Sequence, residues 1–151
     1  MAKMHEYPVT VRWQGGRGGS GQASGDRSGT ASPLATPPEF GGSGNGTNPE
    51  ELLAKAVAGC YSITFGIIAE TRRIPLVGVE THATGVVEEN GPQFTYQSIT
   101  IRPTITLSAD ATDEQVALAE QMSHKADLYC IITNAIRDKV SISVEPTIIR
   151  G

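Results

Sequence analysis

The chain contains two cysteines, Cys60 and Cys130, which lie 70 positions apart. In a reducing compartment such a pair is better explained by two free thiols than by a permanent structural disulfide. Each could be a small buried hydrophobic residue, the usual role of a cysteine among apolar neighbours. Each could instead be a reactive group, because a thiolate is a nucleophile. Residue types and spacing alone leave both interpretations open.

Glu50 and Glu51 precede Cys60 at a predicted helix start, where carboxylates stabilise the positive end of the helix dipole. Stabilising the helix dipole is a sufficient role for both glutamates. Glu50 lies ten residues, close to three helical turns, before Cys60, so the two are about 15 Å apart along the axis. Direct contact within one helix is therefore excluded. If a new helix starts at Cys130, its amide groups would favour a thiolate.

The three histidines show no ligand spacing with one another or with the cysteines, so no metal site is predicted. No serine lies in the Gly-x-Ser-x-Gly turn of a hydrolase, while a nucleophile pair of Cys60 with His82 or His124 stays open. The run Gly15–Gly21 lacks the lysine of a phosphate-binding loop, so nucleotide binding is not expected.

Composition predicts one globular folding unit over residues 1–151, with 38% hydrophobic and 19% charged residues. The net charge of -4 argues against nucleic-acid binding. No stretch is expected to approach the roughly 20 apolar residues that cross a bilayer, and no apolar signal core follows the N-terminus. We therefore expect a cytoplasmic protein.

Strands and turns are predicted before the first helix. Residues 5–13 alternate apolar and polar, which predicts a strand that Pro8 confines to a sheet edge or a strand start. From Gln14 to Gly46 the chain is dense in glycine, serine and proline. This composition predicts loops and hairpin turns around one short strand near 28–35.

Two helices have clear start signals. Asn48 and Pro49, followed by two acids, predict the start of the first. A capping box that begins at Thr112 starts the second, which runs toward Ile136 with a break considered at 127–129. One inward-facing apolar stripe is predicted on the first helix: Leu52, Leu53, Ala56, Val57, Cys60, Ile63, Thr64, Ile67 and Ile68.

Three more strands are predicted from two-residue alternation: 76–88, 94–108 and 140–148. The first two form a long antiparallel hairpin around the turn Asn90-Gly91-Pro92. Val77, Val79, Thr81, Ala83 and Val87 share one face of its first strand, and Ile99, Ile101, Pro103, Ile105 and Leu107 share one face of its second. The element order predicts an α+β fold with antiparallel sheets.

Several motifs occur together along the chain. Thr-Asn-Pro-Glu-Glu-Leu-Leu spans residues 47–53, and Cys60 follows Glu50 by ten positions. Gly-Gly-Arg-Gly lies at 15–18, Pro-Glu-Phe-Gly-Gly at 38–42, and Thr-Asn-Ala at 133–135, shortly after Cys130. In this combination the chain resembles, over effectively its whole length, the OsmC/Ohr family of organic hydroperoxide reductases.

The resemblance implies an OsmC-like α+β fold as a single domain over residues 1–151, with antiparallel sheets wrapped around two central helices. It implies an intertwined homodimer with each active site at the subunit interface. Cys60 corresponds to the peroxidatic cysteine and Cys130 to the resolving cysteine. Arg17 and Glu50 correspond to the pair that activates the thiolate.

The implied reaction converts an organic hydroperoxide to an alcohol through a Cys60 sulfenic acid and a Cys60–Cys130 disulfide. It needs no bound cofactor and no metal. The implied electron donor is an external dithiol, either a lipoylated protein or a small-molecule thiol, and the apolar stripe suits a fatty or alkyl hydroperoxide. An alternative within the same fold is a non-enzymatic redox-sensing or lipid-like ligand-binding module.

The chain departs from the family pattern at two motifs. Ile131 follows the second cysteine where the family commonly has proline, and Gly18 follows Arg17 where the arginine loop commonly has aspartate. Resolution by Cys130 therefore stays open. In OsmC proper the arginine comes from a segment nearer the helix, where this chain has Glu39 and Phe40, so Arg17 is the expected arginine and Arg27 the reserve. The choice between the OsmC and Ohr subfamilies stays open as well.

Overall fold

A three-stranded antiparallel sheet forms the N-terminal part of the computed structural model, which describes residues 1–151. Its strands are β1 (Val9–Gln14), β2 (Ser20–Gly25) and β3 (Ala31–Leu34), paired in the order β1-β2-β3. β1 begins directly after Pro8 and lies at the sheet edge, where the missing N–H costs no ladder hydrogen bond. β2 was not predicted, because Ser-Gly-Gln-Ala-Ser-Gly shows no apolar alternation.

The chain forms two compact units, Met1–Leu52 and Leu53–Gly151. The N-terminal sheet belongs to the first unit, in which a single 3-10 turn follows at Pro38–Phe40. The second unit contains the other sheet and both cysteines. The prediction of one family-like domain over residues 1–151 stays a prediction.

The first helix, α1, spans Pro49–Thr71 and begins where its sequence signals predicted. Asn48 Oδ1 accepts a hydrogen bond of 2.9 Å from the Glu51 N–H, which satisfies one of the free amides at the helix start. Proline occupies the first helical position, whose amide would have no intrahelical partner. The helix ends before Arg73, which is left-handed with φ +57°.

The buried side of α1 matches the predicted stripe only in part, because Val57 belongs to both, whereas Tyr61, Phe65 and Ala69 were not predicted. Val57, Tyr61, Phe65 and Ala69 recur every four residues and are fully or almost fully buried. Ile63 and Ile67, which were predicted to face inward, are 68% and 58% exposed. The helix has two adjacent apolar sides, and the core of this chain covers the one that carries the aromatic rings.

The length and apolar character of α1 also correct an expectation. Its most apolar 18-residue window has a mean hydropathy of 1.7, enough for a membrane span by length and composition. The expectation that no stretch approaches this limit was therefore wrong. Core helices of soluble proteins have the same property, so the finding does not place α1 in a membrane.

The second sheet is built on the predicted hairpin of β4 (Leu76–Asn90) and β5 (Gln93–Leu107). The predicted inward face of β5 is confirmed, since all five of its residues are buried. Val77 is exposed, because the strand pairing is irregular between Leu76 and Gly78 and turns Val77 away from the predicted face.

The final segment forms two strands, β6 (Ser141–Val144) and β7 (Thr147–Arg150), rather than the one strand predicted at 140–148. Both pair with β5 in parallel, so these two strands depart from the predicted antiparallel pairing. Pro146 lies between them and has no N–H to donate, which separates the two pairings. The α+β class itself is confirmed.

The second helix, α2 (Asp113–Tyr129), starts at the predicted capping box. Thr112 Oγ1 accepts from the Gln115 N–H, and Gln115 Oε1 accepts from the Thr112 N–H. The helix breaks at Cys130 rather than at 127–129, and a short helix, α3 (Ile131–Ile136), follows. The core of the second unit packs α1 and α2 against the buried face of β5.

Candidate active site

Cys60 lies near the middle of α1, where its side chain is half-buried and the thiol is free. Its sulfur is 3.9 Å from the hydroxyl oxygen of Thr64, one turn further along the helix. Helical spacing places the two side chains on the same face. A polar group is thus already in contact with this thiol.

Cys130 occupies the corner between α2 and α3 and is fully buried. It ends α2 and caps α3, with an extended backbone at φ -75° and ψ 119°. Its sulfur accepts a hydrogen bond of 3.5 Å from the Thr133 N–H. A new helix therefore does start here, but the expectation that its amides favour a thiolate at Cys130 was wrong, because burial raises the pKa of this thiol.

The corner brings Cys130 and the first amides of α3 to Cys60. Burial raises the pKa of the Cys60 thiol, but hydrogen bonds from the Cys130 side chain, the Ile132 and Ile131 amides and Thr64 outweigh it and lower the pKa overall. The net effect favours the thiolate form of Cys60.

Cys130 shows the opposite shift. Burial raises the pKa of its thiol, and the hydrogen bond it donates to Cys60 raises it further. Cys130 therefore stays protonated when Cys60 ionises. The two cysteines form a pair in which one sulfur is prepared as a nucleophile and the other as its hydrogen-bond donor.

An ion pair that was not predicted from the sequence joins α2 to α3 beside Cys130. Arg137 binds both carboxylate oxygens of Asp127, at 3.2 and 3.3 Å, and also the Asp127 carbonyl oxygen at 3.0 Å. The Asp127 side chain is only 10% exposed. The only sequence signal for this ion pair was Asp127 itself, an acidic residue at an inward-facing helical position. A buried carboxylate requires a partner.

Arg17, Glu50 and Arg27 all belong to the first unit. Arg17 lies in the turn from β1 to β2, beside Gly41, where an added Cβ would come within 3.0 Å of Arg17 Cδ. Glu50 lies in the first turn of α1, and its Oε2 atom is shielded from solvent.

Arg27 lies beyond the opposite end of β2 from Arg17. It donates a hydrogen bond of 2.9 Å to the Glu6 carbonyl oxygen, and its guanidinium stacks on the Tyr7 ring at 5.0 Å. The six residues of β2 separate the two arginines by roughly 17–20 Å. The two candidate arginines therefore lie at opposite ends of β2.

The histidines lie outside the cysteine pair. His82 faces Glu80 at 3.8 Å and is 71% exposed, and His124 faces Glu120 at 3.4 Å. Neither is among the groups that bond to Cys60. The nucleophile pair of Cys60 with a histidine is therefore not formed. No group of three His, Cys, Asp or Glu side chains is arranged to hold a metal ion.

An apolar surface adjoins the cysteine corner. Tyr129 and Ile131, the two neighbours of Cys130 in sequence, are 66% and 78% exposed. Tyr129 also lines a recess of about 210 Å³ between α1 and α2, together with Ile67, Ile68, Thr71, Arg72, Met122 and Lys125. A hydrophobic molecule can lie against this surface.

Comparison with known proteins finds related sequences. The family model described as OsmC-like protein matches residues 42–145. An uncharacterized protein of Bacillus subtilis, YmaD, is 32% identical over 147 residues, which are 97% of each chain. The organic hydroperoxide resistance protein-like 2 of Staphylococcus epidermidis is 28% identical, covering 93% of this chain and 95% of its own.

A solved structure has the same fold. The crystal structure of an organic hydroperoxide resistance protein OsmC from Legionella pneumophila superposes with a TM-score of 0.75 at 25% identity. The match covers 95% of this chain and 99% of the other.

Proposed function

Because this chain belongs to the OsmC-like protein family, we propose that it is a cysteine-dependent peroxidase that reduces organic hydroperoxides to alcohols. The observation that carries the proposal is the cysteine pair, in which Cys60 has a lowered pKa and Cys130 donates to its sulfur. Family membership supports a role in hydroperoxide resistance, and this pair provides the chemistry.

The Cys60 thiolate attacks the distal oxygen of the hydroperoxide. The O–O bond breaks, the product leaves as an alcohol after taking up a proton, and Cys60 becomes a sulfenic acid. The Cys130 sulfur then attacks the Cys60 sulfur and displaces water, so that a disulfide forms. An external dithiol restores both thiols, and the reaction uses no bound cofactor.

We assign Arg17 and Glu50 to thiolate activation by the family pattern. A guanidinium near a cysteine favours its ionised form, and a carboxylate bonded to that guanidinium fixes its position. In the first unit, Arg17 lies against Gly41, and the Glu50 Oε2 atom is shielded from solvent. Arg27 is already engaged by Glu6 and Tyr7.

The proposed substrate is a fatty or alkyl hydroperoxide rather than hydrogen peroxide. Its support is the apolar surface formed by Tyr129, Ile131 and the recess beside them. The proposed reductant is a lipoylated protein or a small-molecule thiol, because the Cys60–Cys130 disulfide needs a dithiol to reopen it. We place the reaction in the cytoplasm, where thiols are kept reduced.

We also propose that the protein acts as a homodimer. Ile63 and Ile67 leave an apolar side of α1 exposed, which a single chain of this size rarely does. On β1, Val9, Val11 and Trp13 alternate along one face and are likewise exposed. A second copy of the chain would cover these surfaces.

Turnover of cumene hydroperoxide with dithiothreitol as reductant tests the proposed activity. The wild-type protein should convert many equivalents, whereas Cys60→Ser should convert none. Cys130→Ser is the matched control, because it should still form one alcohol per chain before any reduction. Wild-type protein without turnover would instead favour the non-enzymatic redox-sensing or ligand-binding alternative.

A further inference from the structure

The contacts of Arg137 extend over the whole corner that carries Cys130. Beyond Asp127, its guanidinium donates to Asn134 Oδ1 at 3.2 and 3.3 Å and to Thr133 Oγ1 at 3.4 Å. Thr133 and Asn134 in turn donate to the carbonyl oxygens of Asp127 and Leu128, at 2.8 and 2.9 Å. The Arg137 side chain therefore links the end of α2 to the start of α3 through hydrogen bonds.

The same short helix, α3, carries the groups that hydrogen bond to the two cysteines. Thr133 also donates through its amide to the Cys130 sulfur, and the Ile131 and Ile132 amides bond to Cys60. If Arg137 released Asp127, the buried carboxylate would lose its charged partner and the corner would have to open toward water. The Cys130 sulfur and the two amides would then move together.

We propose that the Asp127–Arg137 ion pair is a positioning device that determines whether oxidised Cys60 closes to a disulfide or is oxidised further. The inference rests on the proposed peroxidase function. Closure joins the Cys60 sulfenic acid to the Cys130 thiol and releases water. The competing step takes a second hydroperoxide, which transfers an oxygen to the sulfenic acid and leaves a sulfinic acid and an alcohol.

The corner controls only the first of these two steps. Closure requires the Cys130 sulfur within bonding reach of Cys60, and a displacement of about 1 Å can slow such a step by about a hundredfold. The second oxidation needs only access of peroxide to Cys60. Loosening the ion pair should therefore shift the products toward the sulfinic acid.

The test measures products by intact mass across a titration with cumene hydroperoxide. Arg137→Gln should reach equal amounts of sulfinic acid and disulfide at about tenfold lower peroxide than the wild-type protein. Arg137→Lys, which keeps the charge but loses the planar fork, should be intermediate. Arg102→Gln is the matched control, because it removes the exposed pair with Glu145 at 3.0 Å and should match the wild-type protein.

A peroxide-free measurement separates this inference from the proposed function. Dithionitrobenzoate should react first at Cys60, and attack by Cys130 on the mixed disulfide should release a second thionitrobenzoate. Arg137→Gln should slow the second release about tenfold or more. Asp127→Asn should slow the second release by a similar factor. This second variant tests the same ion pair if Arg137→Gln does not fold. A second release unchanged in both folded variants would overturn the inference, even if every variant lacks peroxidase activity.

Discussion

The Cys130 thiol donates a hydrogen bond to the Cys60 sulfur, and the pKa values of the two thiols shift in opposite directions. Because Cys130 is buried and Cys60 is half-buried, the more accessible sulfur is the one that ionises. This is the order of events that a peroxidatic and a resolving cysteine require.

The lowered Cys60 pKa predicts a pH profile. Alkylation by iodoacetamide should be fast where Cys60 is a thiolate and should slow as pH falls through its lowered pKa. Cys130→Ala removes one hydrogen-bond donor to this sulfur, so it should shift the midpoint to higher pH. Equal midpoints in the two proteins would show that Cys130 does not stabilise the thiolate.

Arg17 and Glu50 should affect only the rate at which Cys60 reacts with the hydroperoxide. Because a hydrogen bond to a charged group contributes about 1.5–3 kcal/mol, Arg17→Gln should slow the reaction of Cys60 with hydroperoxide about tenfold or more. Glu50→Gln should act in the same direction. Arg27→Gln is the matched control and should react normally in stopped-flow assays. A slow Arg27→Gln with a normal Arg17→Gln would reassign the active-site arginine.

The dimer proposal makes a prediction about mass. Light scattering should give the wild-type protein twice the mass of one chain, and Ile63→Lys should give the mass of one chain, because a charge would be buried in the interface. Val86→Lys, a matched change at an exposed site on β4, should leave the dimer intact. A wild-type monomer, or a dimeric Ile63→Lys, contradicts the α1 interface.

The Thr112 capping box should contribute measurably to stability. Thr112→Ala leaves the Gln115 amide without its side-chain acceptor and should lower the free energy of unfolding by about 1 kcal/mol in urea titrations. Gln121→Ala, on the exposed side of the same helix, should change it by less than about 0.5 kcal/mol. Equal losses in the two variants would mean that the cap contributes nothing specific.

Local signals explain what could be predicted. The starts of α1 and α2 follow from Asn48 and Thr112, whose side chains bond to amides three residues away. The buried face of β5 follows from its alternation. These features depend only on neighbours in sequence, so the pattern is sufficient to find them.

Other features depend on contacts that no local pattern encodes. The break at Cys130 depends on Arg137, which bonds back across ten positions to Asp127. The exposure of Ile63 depends on which side of α1 the core covers, and period alone does not distinguish Ile63 from Tyr61. β2 is held by pairing with both neighbours rather than by its own apolar residues.

Intact-mass analysis after one equivalent of cumene hydroperoxide, without added reductant, shows whether the disulfide between Cys60 and Cys130 forms. The wild-type protein should lose two hydrogens, with peptide mapping that joins Cys60 to Cys130, and neither Cys60→Ser nor Cys130→Ser should lose them. An unchanged mass, or oxidation confined to residues other than Cys60, would rule out the proposed chemistry.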